Sequence, residues 1–304
     1  MDNLTHTLTG VAISRLGIDK RVEGATLTLA LACNLPDVDI VSALWGLGAY
    51  LEHHRGITHA LPASPLMAAG LAFILSAWPK SKRRVLPTFL IAWLGVIVHV
   101  LSDLWTSYGT RALLPFDSTW YAWDWIFIVD PALLILLAFA CFGARWLGRP
   151  STNRWAAAAA LAYIGLRAFV HDQALGQARG FAGSEYPLVR AFPSPLDLNE
   201  WRFLARNETS FARGTVQAIG SAREKETIVR QSPDALVTRV ATESRAAKVF
   251  LSFSIFPKLE VTREGGTTTI LWRDLRFSDR RRNGFLCEVK VAENGRILSE
   301  RIVF

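Results

Sequence analysis

Polar and apolar positions divide this chain near its middle. Over residues 24–48, 60–79, 85–105 and 126–147 apolar side chains run almost unbroken, and a weaker alanine-rich run covers 155–172. Runs of about 20 residues are long enough to cross a bilayer as helices. Residues 3–16 (NLTHTLTGVAISRL) suit a shorter helix, with Asp2 or Asn3 able to cap its start. In the second half the pattern changes to short stretches rich in β-branched and aromatic residues: VFLSFSIF (249–256), LEVTRE (259–264), TTTILWRDLRF (267–277) and FLCEVKV (285–291). Gly265-Gly266 and Asn294-Gly295 are hairpin signals. Between the halves, Gly180, Gly183, Pro187, Pro193 and Pro195 give the composition of a linker. The expected architecture is an α-helical integral membrane domain over 1–174, with four to five spanning helices plus an N-terminal helix. A linker over 175–203 and a β-rich extramembrane domain over 204–304 follow.

Composition sharpens this division. Of 304 residues, 51% are hydrophobic, and the mean hydropathy is +0.23, high for a water-soluble protein. The net charge is +8. Much of that excess sits in short loops between apolar runs, which favours membrane topology over nucleic-acid binding, and no nucleic-acid partner is expected. One set of loops holds Arg15, Lys20 and Arg21, then Lys80, Lys82, Arg83 and Arg84, then Arg145, Arg149 and Arg154. The opposite set holds only Arg55 and Arg111. Positive loops stay in the cytoplasm, so the other set, and with it the C-terminal domain, is expected on the periplasmic side of a multi-pass inner-membrane protein. The start, MDNLTHTLTG, lacks the basic end and long apolar centre of a secretory signal. The three cysteines form no disulfide or zinc pattern. The run Arg280-Arg281-Arg282 reads as a solvated turn.

Ionisable side chains inside apolar runs are costly and point to function. Asp37 and Asp39 interrupt the first run, where Pro36 forbids a regular helix. His99 and Asp103 are spaced i, i+4 and so share one helix face, where they can share a metal. His54-Arg-Gly-Ile-Thr-His59 sets two imidazoles around a glycine, and His54 is favoured over His53. Asp124 and Asp130 flank the start of the 126–147 run, and Asp130 also suits a helix cap. With the basic loops inside, all these groups converge toward the outer face. Imidazole with carboxylate suits zinc, manganese or iron, and so many donors suit two ions. In this reading Asp37, Asp39, His54, His59, His99 and Asp103 bind metal, and His6 is a ligand or the partner of one. Arg55 binds a substrate anion, and Asp124 acts as general base or orients a histidine.

The segments MDNLTHTLTG, NLPDVD, HHRGITH, HVLSDLWTSYGT and PFDSTWYAWDWIFIVDP, in this order, resemble the YdjM-like family over roughly residues 1–170. The resemblance implies an inner-membrane, LexA-regulated, metal-dependent hydrolase with a site at His6, Asp37, Asp39, His54, His59, His99 and Asp103. That family is distantly similar to zinc-dependent phospholipase C and P1-type nucleases. The His99-xxx-Asp103 pair looks like their ligand motif, although this chain has no clear second copy of the His-xxx-Glu type. The expectation is a membrane-bound hydrolase of a phosphoester or lipid-linked substrate, in contact with the lipid bilayer. The alternative is a non-enzymatic metal-binding or metal-sensing membrane protein with an outward-facing β domain.

Overall fold

The carboxylate of Asp2 accepts the backbone amides of Leu4 and Thr5 and so starts helix α1 (Asn3–Ile13). In this computed structural model, which describes residues 1–79, 81–220, 224–278 and 284–303, α1 is the first of several helices that bring polar groups to one place. The run Arg280-Arg281-Arg282 lies outside the described residues. Helix α2 (Ala25–Ala32) packs against α1 at Gly10, where a Cβ would stand 2.5 Å from the Leu29 carbonyl oxygen. Only glycine permits that approach. After α2 the chain turns by 44° into a 3-10 helix (Pro36–Trp45), which carries Asp37 and Asp39 in its first turn. The expected break in the first apolar run is therefore real, and Pro36 supplies its cause.

Helix α3 (Leu47–His53) and two short 3-10 turns (Ile57–His59 and Leu61–Ala63) lead into α4 (Ser64–Ala77), which packs on α5 (Val85–Leu104). Helix α5 crosses α2 at Gly95, where a Cβ would meet that of Ala32 at 2.6 Å. Helix α6 (Pro131–Leu147) begins at Asp130, which accepts the Leu133 amide at 3.0 Å and the Tyr163 hydroxyl at 2.9 Å. Tyr163 belongs to α7 (Thr152–Ala182).

Among the described residues, α5 alone is long and apolar enough to span a membrane by itself. Counting each bent pair, Ala25–Ala32 with Pro36–Trp45 and Leu47–His59 with Leu61–Ala77, raises the number to three. The expected four to five spans exceed this, because α6 has only 17 residues and α7 dilutes its alanines with polar side chains.

The segment 175–203, expected to be a linker, holds the end of α7, strand β1 (Leu188–Pro193) and the start of β2 (Glu200–Arg206). Its prolines and glycines sit at edges and ends: Pro193 closes an edge strand, and Gly183 takes φ 105° where α7 stops. With β3 (Ser210–Gln217) and β4 (Glu224–Val229) these strands form a sheet of order β1-β2-β3-β4. A second sheet has the order β5 (Pro257–Glu264), β6 (Thr267–Asp274), β7 (Leu286–Ala292) and β8 (Ile297–Val303). Its hairpins turn at Gly265-Gly266, between the paired Glu264 and Thr267, and at Asn294-Gly295. The stretch VFLSFSIF is not a strand. Ser244 caps α9 (Arg245–Phe253) through the Ala247 amide, and the three-residue rhythm of Ala247, Phe250 and Phe253 buries one helix face. Helix α8 (Ala235–Glu243) precedes it, and α9 packs on β7 and β8.

By packing, residues 1–39, 54–173 and 192–201 form one compact unit, and 40–53, 174–191 and 202–304 form another. The chain thus leaves the first unit after Asp39 and re-enters it at His54.

Candidate metal centre

Four segments of the first unit supply the centre. The break after α2 contributes Asp37 and Asp39, the turns before α4 contribute His54, Arg55 and His59, α5 contributes His99 and Asp103, and α1 contributes His6. His59, His99 and Asp103 are fully buried, while the Asp37 and His54 side chains keep 14% and 12% of their surface.

One donor atom each from Asp37, His59, His99 and Asp103 converges on a common point. His59 Nε2 lies 3.1 Å from His99 Nε2, 3.3 Å from Asp37 Oδ1 and 3.3 Å from Asp103 Oδ2. His99 Nε2 lies 3.4 Å from Asp103 Oδ2 and 3.7 Å from Asp37 Oδ1. Ligand bonds of about 2.0–2.1 Å in a tetrahedron give donor separations of about 3.3–3.4 Å. Five of the six donor separations therefore stand near the spacing of a tetrahedral site for a small divalent ion, and all four atoms lie within 4.8 Å of one another. Asp103 Oδ2 is buried and accepts no hydrogen bond, which fits an atom reserved for a cation. Three carboxylates packed together also require positive charge, part of which Arg55 and the Met1 amino group supply at Asp103.

The remaining ring nitrogens are anchored so that both Nε2 atoms face inward. His99 Nδ1 lies 2.7 Å from the Cys33 carbonyl oxygen, an acceptor only, so Nδ1 donates the proton and Nε2 keeps its lone pair. His59 Nδ1 lies 3.2 Å from Asp39 Oδ2, which fixes the same tautomer. Asp39 is thereby the busiest carboxylate of the centre. Its Oδ2 also accepts the Arg55 amide at 3.0 Å and the Thr58 hydroxyl at 2.8 Å, and its Oδ1 lies 2.8 Å from His54 Nδ1. Asp37, Asp39 and His54 form a second group of convergent donors.

Other expected site residues take different places. His6 is not among the converging donors. It stacks on the His99 ring at 3.9 Å, and its Nε2 lies 3.3 Å from Asp103 Oδ1, so it is a neighbour of two converging donors. Arg55, expected to bind a substrate anion, is buried and committed within the protein. Its Nη2 lies 3.0 Å from Asp103 Oδ1, its Nη1 donates to Thr106 Oγ1 at 3.1 Å, and its guanidinium covers the Tyr108 ring at 4.8 Å. The Met1 amino group also contacts Asp103 Oδ1. Asp124 is buried at φ 58° beside the end of α5, where Trp123 and Trp125 donate their amides to the Leu104 and Trp105 carbonyls. It is outside both donor groups.

Thr58, Thr106, Tyr108, Asn3 and the Cys33 carbonyl escaped the sequence reading. Thr58 stands beside His59, and Asn3 donates to Asp37 Oδ2 at 3.3 Å from a segment already singled out, so both had a positional signal. The Cys33 carbonyl had none, because any residue supplies a carbonyl.

Comparison with known proteins agrees with this half of the chain. Residues 1–174 match the family model described as YdjM inner membrane protein. An uncharacterized protein, YfhP, of Bacillus subtilis (strain 168) is 32% identical over 144 residues, covering 44% of this chain and 43% of that protein. The match thus spans under half of that relative's length. No solved structure matches, so the distant similarity to phospholipase C and P1-type nucleases gains no structural support.

Proposed function

The chain belongs to the YdjM inner membrane protein family, and from that premise we propose that it is a membrane-bound, metal-dependent hydrolase of a phosphoester or lipid-linked substrate. The convergence of Asp37, His59, His99 and Asp103, with donor atoms within 4.8 Å of one another, carries this reading. These four would hold a divalent ion, with zinc favoured by the donor set and manganese the next candidate. A divalent ion at such a centre would supply a Lewis acid and, where a coordination position is left open, a water that ionises near neutral pH. The protein's own groups hold the arrangement: Asp39 orients His59, the Cys33 carbonyl orients His99, and Arg55 braces Asp103. Asp124 is the proposed proton acceptor.

The first experiment is the metal content of the detergent-purified protein by mass spectrometry. Wild type is expected to carry zinc or manganese, and both Asp37→Ala and His99→Ala to lose it. A folded, metal-free wild type overturns the reading. Given metal, phosphoester substrates are screened, and Asp124→Asn is expected to keep its metal while losing turnover. Turnover equal to wild type would remove Asp124 from the reaction.

One observation favours a second reading, a metal-binding protein without catalysis. Four protein donors complete a tetrahedron, as in structural sites, and three of them are fully buried here. Retained metal with no hydrolysis of any ester tested is the outcome that selects it. In either reading, the distribution of basic loops supports a centre on the periplasmic side. An Asp117→Cys variant is expected to react with a membrane-impermeant thiol reagent in spheroplasts, and protection there would reverse the orientation.

A further inference from the structure

The two groups of convergent donors share Asp37 and differ in every other respect. The first adds His59, His99 and Asp103, none of which exposes any side-chain surface. It reaches four donors, with both imidazoles locked from behind by the Cys33 carbonyl and Asp39. The second adds only Asp39 and His54 and reaches three. Its members lie at the rim, where Asp37 and His54 keep some surface. Four protein donors describe a closed site, and three describe one with a position left for water or a substrate oxygen.

We infer that the centre provides two unequal places for divalent ions joined through Asp37: a buried, closed one formed with His59, His99 and Asp103, and a rim one formed with Asp39 and His54 that keeps a coordination position open. Asp39 links them, because one oxygen accepts from His59 while the other faces His54 at 2.8 Å. The buried place then serves to hold the break after α2 against α5, and the rim place is where an anionic oxygen, such as that of a phosphoester, can approach. The inference rests on the proposed metal centre, but it can fail separately.

The test is metal stoichiometry of the full-length protein in detergent, loaded with excess zinc and then dialysed against a mild chelator, with the melting temperature read in parallel. Wild type is expected to hold two ions after loading and one after dialysis. His54→Ala is expected to hold one ion throughout and to melt like the dialysed wild type. His54→Gln, which can still hydrogen-bond Asp39, is expected to behave the same way, which separates a ligand from a structural partner. His99→Ala is expected to lose the chelator-resistant ion and to melt at lower temperature. A His54→Gln protein that binds as many ions as wild type, or a wild type that never takes more than one, overturns the inference while leaving the metal centre standing. A wild type that takes none overturns both.

Discussion

Asp39 concentrates the chemistry of the centre in a single carboxylate. It accepts the Arg55 amide and the Thr58 hydroxyl and faces both His54 and His59. An Asp39→Asn variant keeps the shape and can keep an oxygen toward the Arg55 amide, Thr58 and His59, but it removes the negative charge behind His59 and turns an NH2 toward His54. Groups that orient metal-binding histidines typically contribute 10–100-fold in affinity, so a loss of about that size is expected in competition with a chromophoric chelator. Wild-type affinity would show that His59 is oriented by other groups. Arg55 is the complementary case. Arg55→Gln leaves Asp103 buried with less compensation, and removing one partner of a buried pair costs on the order of 3–5 kcal/mol. A fall in melting temperature with little change in substrate affinity is expected, whereas an anion-binding arginine would show the reverse. The i, i+4 pair His99 and Asp103 and the doublet Asp37 and Asp39 were legible in the sequence, because helical spacing and a proline break determine where such side chains go. The commitment of Arg55 was not, since whether an arginine faces a substrate or a buried aspartate depends on groups 48 and more positions away.

At the level of elements, close helix contacts position these residues. Gly95 lets α5 approach α2 so closely that an added methyl would meet Ala32 Cβ at 2.6 Å. The same contact sets the Cys33 carbonyl under His99. Gly95→Ala is expected to cost roughly 1–3 kcal/mol by overpacking and to weaken metal retention. The double variant Gly95→Ala with Ala32→Gly is expected to recover much of both, as read by melting temperature and metal content. If the double variant recovers nothing, the clash is elsewhere. Asp130 behaves as the cap its position before Pro131 suggested, and it also holds Tyr163. In the C-terminal unit, the Val237 amide, helped by Arg263, holds the Asp234 carboxyl below the ordinary carboxylate range. A lowered folded value means that its contribution is complete above the unfolded value of about 4 and is lost as pH falls through the lower folded value. The acid limb of unfolding, followed by circular dichroism below about pH 4, is expected to be shallower in Asp234→Asn. The misread stretch 249–256 shows why local composition fell short here. Its β-branched and aromatic residues suit a strand, but the Ser244 cap and the spacing of Ala247, Phe250 and Phe253 decide for a helix. The sheet built from 188–229 was missed because its strands carry many charged residues, including Arg190, Arg202 and Arg213.

For the molecule as a whole, the division into a helical half and a strand-rich half was legible because hydropathy changes so sharply between them. The number of membrane spans was not. The break in 24–48, which turns the chain by 44°, was foretold by Pro36, but apolar length alone also counts 126–147 and 155–172 as crossings, and α6 proves short and α7 polar. What the break accomplishes is visible in the path of the chain. Residues 40–53 pack with the C-terminal unit, although the residues on either side of them, Asp39 and His54, face each other across 2.8 Å in the candidate metal centre. The excursion is a loop drawn shut at its neck by the very groups proposed to hold the rim ion. Loop-closure entropy grows slowly, by about 0.6 kcal/mol for each doubling of length, so extra residues inserted into 40–53 should leave the neck closed. Whatever ties the neck is thermodynamically coupled to the ordering of the loop. An ion proposed for the rim would then work as a drawstring, tightening residues 40–53 from their two ends.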